Sequence, residues 1–203
     1  MRRKGDHYSK SARESGYPAR SVFKLQEIQR KFHLISTGDR LLDIGASPGS
    51  WSLYAVRELR ARVVGVDLEE PAPGLKGLDG MSFVQGDILD EGIRRALLGL
   101  GPFNVLASDA APKTTGNRLV DTQRSHDLAE QVLGLAHGCL MKGGNLVVKV
   151  FQGGAERELL ERMRGLFESA RTFKPKSSRK ESFETYLIGI GKHRESKKTT
   201  EFK

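Results

Sequence analysis

A lysine interrupts a run of side chains otherwise suited to burial. In Leu146-Val147-Val148-Lys149-Val150-Phe151 every neighbour fits a strand covered on both faces. Lysine is almost never fully buried unless it is paired, and burial disfavours its charged form. A lysine held there could accept a proton or orient a hydroxyl. Candidate partners are Asp109, which follows the apolar run 104–108, and Glu184, which precedes the run 185–190. Two more acids close short apolar runs, Asp67 after 63–66 and Asp87 just beyond 82–85.

The elements that must position these groups alternate. Apolar runs at 41–44, 63–68, 82–85, 104–108 and 145–151 read as strands. Helical stretches fall at about 51–60, 90–99, 121–141 and 155–169, with Gly143-Gly144 expected to stop the third of these. Such alternation implies a parallel sheet covered by helices on both faces. After Glu168 it ends: the strand-like runs 170–173 and 185–190 are joined by 174–184, which leaves no room for a helix. They must pair as a hairpin, so the last of seven strands runs antiparallel to the rest. Ligands of open parallel sheets bind beyond the carboxyl ends of the strands. Asp67, Asp87, Asp109 and Lys149 fall on that rim, and the start of the antiparallel strand brings Glu184 to it. Upstream, Pro18 opens a helix in which Val22, Leu25, Ile28, Gln29 and Phe32 roughly keep helical spacing, ending before Thr37-Gly38-Asp39. Lys24 is expected mid-helix, close to the apolar face.

The first strand leads into Asp43-Ile44-Gly45-Ala46-Ser47-Pro48-Gly49-Ser50-Trp51. A strand, a glycine turn and a helix start make a site where backbone N–H groups can meet a ligand. A dinucleotide fingerprint needs Gly-x-Gly-x-x-Gly, and a P-loop needs Gly-Lys-Ser/Thr; neither is present. Asp-x-Gly-x-x-x-Gly resembles the first motif of S-adenosylmethionine-dependent methyltransferases. Asp67 lies 22 residues after Gly45, near the offset of about 20 at which an acid meets ribose hydroxyls in the related dinucleotide fold. Asp87 could accept from an adenine amino group. Against these roles stand a turn aspartate at position 67 and a helix cap at position 87.

At 203 residues the chain suits one domain, 1–203, with a proper core. No apolar run approaches the ~20 residues that span a bilayer, and the basic N-terminus lacks the apolar core of a secretory signal. Cys139 is the single cysteine, so neither a disulfide framework nor a multi-cysteine zinc cluster is expected, and the cytoplasm is the default compartment. The net charge is +9. Residues 1–31 hold nine Lys/Arg against three Asp/Glu, and 171–203 hold ten against four, leaving a mildly acidic middle. Basic ends around an acidic body point to a polyanion, RNA or DNA before membrane. The segments 1–17 and 193–203 are expected to be basic arms, the first aperiodic and mobile in isolation, the second disordered.

Phe23-Lys24-Leu25, Asp43 through Trp51, Ser108-Asp109-Ala110-Ala111-Pro112, Val147 through Gly153, Ser177-Ser178-Arg179 and Glu184-Thr185-Tyr186 together resemble the FtsJ/RrmJ family of RNA ribose 2′-O-methyltransferases, in the family's order and over about residues 7–192. The resemblance implies a Rossmann-like methyltransferase fold and a Lys-Asp-Lys-Glu tetrad at Lys24, Asp109, Lys149 and Glu184. It implies S-adenosylmethionine as donor, S-adenosylhomocysteine as product, and cofactor contacts at Gly49, Trp51, Asp67, Asp87 and Asp109 besides Gly45. Ser47 and Ser50 depart from the alanine and glycine many relatives carry. The compact size is similar to the enzyme acting on a uridine of large-subunit ribosomal RNA, free or in the assembled subunit. Relatives that modify tRNA share the tetrad. On this reading Lys149 accepts the proton or orients the hydroxyl, Lys24 repels its charge and steadies the oxygen, and Asp109 and Glu184 pair with the lysines. No metal is called for, and a monomer is expected. A cytosine C5 enzyme would need a nucleophilic cysteine, yet Cys139 lies in an apolar helix. A base N-methyltransferase would carry an Asn/Asp-Pro-Pro-Tyr-like segment where Asp109-Ala110-Ala111-Pro112 stands. A noncatalytic RNA-binding assembly factor is the remaining class.

Overall fold

The structure, a computed structural model, describes residues 7–153, 156–179 and 182–193. Alternating apolar side chains give the central strands two buried faces, and those faces recruit two helical layers. The elements in chain order are α1 (His7–Glu14), α2 (Val22–Phe32), β1 (Arg40–Ile44), α3 (Ser50–Arg57), β2 (Arg62–Asp67), β3 (Met81–Gln85) and α4 (Glu91–Leu100). There follow β4 (Phe103–Ser108), α5 (Arg118–Cys139), β5 (Leu140–Phe151), α6 (Glu156–Leu166), β6 (Phe167–Phe173) and β7 (Glu184–Lys192). The seven strands form one sheet in the order β3-β2-β1-β4-β5-β7-β6. β1 to β5 pair in parallel, whereas β7 is antiparallel to both β5 and β6. The expected α/β architecture with its antiparallel last strand is therefore the observed one.

Leu41, Val63, Val105, Ala107, Val147 and Ile188 turn to one face, where Leu25 and Ile28 of α2 and Trp51 and Ala55 of α3 cover them. Their neighbours Leu42, Leu106, Leu146, Val148 and Leu187 turn to the other face, under α4, α5 and α6. Lys149 shares the parity of Val147, so it emerges on the α2 side of the sheet. Among the described residues no helix is long and apolar enough to cross a membrane.

Three expectations are corrected. The segment 1–17 is not aperiodic throughout: 7–14 form α1, which buries Ala12, with Tyr17 beyond it, against Val22, Leu53 and Leu75. Only Tyr8 and Ala12 make its apolar stripe, so this helix depends on tertiary packing more than on pattern. Gly143-Gly144 do not stop a helix. α5 ends at Cys139 and both glycines lie inside the long β5, where a Cβ on Gly144 would meet the Asn104 carbonyl oxygen at 2.8 Å. Lys24 belongs to the first turn of α2, not its middle, because residues 18–21 form a turn. The basic tail expected over 193–203 lies, from residue 194 onward, outside the described residues.

Candidate active site

Four elements converge on Asp109. It follows β4, and its amide donates to the Ile44 carbonyl at 3.2 Å, carrying the β1–β4 alignment one residue past the strand. Lys149 approaches from β5, its Nζ 3.1 Å from Asp109 Oδ1 and also donating to the Asp109 carbonyl oxygen. Lys24 approaches from α2, 3.8 Å from the same Oδ1 and 2.6 Å from Glu184 Oε1 at the start of β7. Tyr186 donates its hydroxyl to Asp109 Oδ1 at 2.6 Å. The antiparallel register explains the arrangement, since Lys149 faces Tyr186 and Phe151 faces Glu184 across β5 and β7. The four charged residues that the sequence singled out are thus gathered in one place. Glu184 makes its ion pair with Lys24.

The cluster is nearly dry, the side chain of Lys149 being 8% exposed and that of Lys24 12%. Two ammonium groups beside two carboxylates leave no net charge, which is what permits so many ionisable groups below the surface. Burial alone would raise the Asp109 carboxyl, but Lys149, Lys24 and the Tyr186 hydroxyl outweigh it and hold it below the usual carboxylate range. Burial, reinforced by Asp109 and Glu184, pushes the Tyr186 phenol well above its ordinary value, so it stays a donor. Sequence reading missed this role. The signal was present in the two-residue step from Glu184 to Tyr186, which keeps both on one face of a strand.

Beside this cluster a cleft of about 580 Å³ is lined by Gly45, Ser47, Asp67, Asp87, Asp109 and Ala110 among others. Gly45 has φ +78°, and a Cβ there would lie 2.6 Å from the Ala110 Cα. Only glycine lets this turn approach the loop carrying Asp109 so closely. Asp67 Oδ2 accepts from the Ser47 amide at 2.9 Å and Oδ1 from the Glu69 amide at 3.0 Å. Asp67 therefore braces the glycine turn and faces the cleft. Asp87 accepts from the Leu89 amide at 2.8 Å, while Asp90, not Asp87, caps α4 through the Ile93 amide. Acid groups, an apolar floor of Ile44, Val66 and Ile88, and a free glycine turn fit a ligand with hydroxyl and amino donors on a flat ring.

Gly49 and Trp51 do not line this cleft among the residues that bound it. Gly49 has φ +111° and packs against Leu75. Trp51 is buried, donating its indole N–H to the Ser21 carbonyl at 2.8 Å, its ring 5.9 Å from that of Tyr186. Ser50, between them, accepts from the Ala19 amide at 2.7 Å and donates to the Ala19 carbonyl at 3.0 Å. Below the turn, Asp43 is wholly buried and accepts the Ser52 hydroxyl at 2.6 Å, while its Oδ1 has no partner. Burial pushes its carboxyl up to about 7, against the Ser52 hydrogen bond and with help from Asp109 and Asp67.

The chain is similar to known proteins along nearly its whole length. The FtsJ-like methyltransferase profile matches residues 17–192. A ribosomal RNA large subunit methyltransferase E from Treponema denticola is 48% identical over 187 residues, covering 91% of this chain and 94% of that one. The protein of the same name from Borreliella afzelii is 47% identical over 185 residues, covering 91% and 96%. A crystal structure from Plasmodium falciparum, described as a ribosomal RNA methyltransferase, superposes with a TM-score of 0.76 at 25% identity, covering 87% and 98%. Human methyltransferase-like protein 13, solved with S-adenosylhomocysteine, shares the fold at 15% identity, with a TM-score of 0.56 and coverage of 88% and 82%. With a profile matching from residue 17 to 192 and relatives so alike from end to end, the chain belongs to the FtsJ-like methyltransferase family.

Proposed function

We propose that this methyltransferase transfers a methyl group from S-adenosylmethionine to the 2′-hydroxyl of a ribose in large-subunit ribosomal RNA, on a uridine, acting as a monomer. The observation that carries this reading is the buried contact of Lys149 with Asp109, with Lys24 and Glu184 closing the cluster. The names of the relatives support the RNA substrate. When bound, S-adenosylmethionine supplies an activated methyl group on sulfur. Gly45, Ser47, Asp67 and Asp87 would hold it in the cleft, whose boundary at Asp109 touches the cluster.

A ribose hydroxyl is a poor nucleophile at neutral pH, so the chain's own task is alignment and proton removal. Asp109 fixes Lys149 by its carboxylate and its carbonyl oxygen at once, which sets the direction of the amine. Lys149 would orient the hydroxyl and, having first released its own ammonium proton, take the hydroxyl proton as the oxygen gains the methyl group and the methyl–sulfur bond breaks to leave S-adenosylhomocysteine. Lys24, held by Glu184, stabilises negative charge on that oxygen. Tyr186 keeps Asp109 ionised and in place.

The test is to incubate the protein with labelled S-adenosylmethionine and large ribosomal subunits or naked ribosomal RNA from cells lacking it. Label is expected at one linkage that resists alkaline cleavage, because a methylated 2′-oxygen cannot attack its phosphate. Label on a base, or only on tRNA, would overturn the reading.

A further inference from the structure

Two aromatic pairs flank the charged cluster, and neither belongs to the cofactor cleft. Phe183 immediately precedes Glu184, and its ring lies 4.6 Å from that of Phe151, two residues beyond Lys149. The Arg118 guanidinium sits 5.5 Å above Phe183. On the other side, Phe23 immediately precedes Lys24 and its ring lies 5.5 Å from that of Tyr8, with the Arg20 guanidinium 5.0 Å above Tyr8. Phe151 is buried, but Phe183, Phe23 and Tyr8 are only half-buried, and Arg118 is exposed. Phe151 and Phe23 pack on the core, so the aromatic surface that each pair presents at the rim comes from Phe183 and from Tyr8.

The cluster's depth gives these surfaces a task. A ribose hydroxyl that reaches an amine as sheltered as Lys149 must leave the regular stack of an RNA helix. Nucleotides on either side then lose stacking partners. Unstacked RNA bases are held on aromatic faces and on guanidinium planes, irrespective of base identity. We propose that Phe183 with Arg118, and Tyr8 with Phe23 and Arg20, are stacking platforms for the bases flanking the reactive ribose, so that the substrate is an unpaired segment and not a duplex. The proposal rests on the reading of the site as a ribose 2′-O-methyltransferase and deepens it.

The experiment measures binding of oligoadenylate of about ten nucleotides, a length within the usual single-strand site sizes, against an adenylate–uridylate duplex of equal length. The full chain is used with S-adenosylhomocysteine present. The single strand is expected to bind more tightly than the duplex. Phe183→Leu should weaken single-strand binding about five- to a hundredfold while leaving the slope of affinity against salt unchanged, since no phosphate contact is lost. Phe183→Tyr should restore it. Arg118→Gln should weaken binding too, since it removes the guanidinium plane over Phe183. Equal affinity for single strand and duplex, wild-type binding by Phe183→Leu, or a Tyr variant as weak as the Leu variant would each overturn the platforms. If the stacking signature appears but no ribose is methylated, the activity assignment fails and the platforms stand. If riboses are methylated and Phe183→Leu keeps the wild-type KM for RNA, the platforms alone fall.

Discussion

The two halves of the rim hold their carboxylates in opposite ways. On the β4–β5–β7 side, Asp109 and Glu184 are held by side chains, namely two lysines and a phenol. On the β1–β2–β3 side, Asp67 and Asp87 are held by backbone amides of their own turns. Backbone amides cannot change protonation state, so the second half is a shaped receptacle. Lysine side chains can exchange protons, so the first half is where chemistry is possible. Substitutions in the two halves should therefore separate turnover from affinity.

The largest effect is expected at Lys149. Lys149→Ala should reduce turnover about a hundred- to ten-thousand-fold, the usual range for losing a positioned proton acceptor, with nearly unchanged affinity for S-adenosylmethionine. Wild-type-like methylation by that variant would erase the distinction between the halves. Asp67→Ala should do the reverse. Removing the acceptor for two backbone amides and a ligand contact is expected to raise the cofactor dissociation constant about ten- to a hundredfold, measured by calorimetry. An unchanged constant would remove Asp67 from the receptacle. Tyr186→Phe sharpens the contrast, since it removes one hydrogen bond to a charged acceptor. About a tenfold loss in turnover is expected, with cofactor and RNA affinities retained.

The last effect is on stability and leaves turnover aside: it concerns Asp43, which lies beneath both halves. Its folded pKa is raised to about 7 from an ordinary value near ~3.9. The native state therefore holds a proton that the unfolded chain releases. Asp43 contributes stability that is complete below pH ~4 and is lost as pH climbs through about 7. Asp43→Asn cannot ionise, so its stability relative to wild type should improve between pH 5 and pH 8, by a few kcal/mol at most. Urea midpoints at the two pH values check this, and an identical difference at both would show that Asp43 is ionised throughout.

Much of this was legible in the residues, for identifiable reasons. Lys149 announced itself because a charge in a run of β-branched side chains has few physical explanations, and topology then placed Asp109 and Glu184 near it. The hairpin followed from chain length alone. α1 was not legible, because two apolar residues one turn apart make no periodicity and its partners Leu53 and Leu75 lie far along the chain. Gly143-Gly144 misled because the same dipeptide serves a helix end and the crowded entry to a strand; only the Asn104 carbonyl beside it decides. Nor could spacing reveal that the Trp51 indole ties α3 to the carbonyl of Ser21.

The Ser50 hydroxyl bonds both backbone groups of Ala19, five residues before Lys24 and directly after the last residue of the glycine turn. This hydroxyl and the Trp51 indole N–H, which donates to the Ser21 carbonyl, tie the end of the glycine turn to the segment that leads into α2. Lys24, in the first turn of α2, is thereby anchored to the same turn that borders the cleft. Ser50→Ala would remove one of these two ties and leave the Trp51 bond to Ser21 in place.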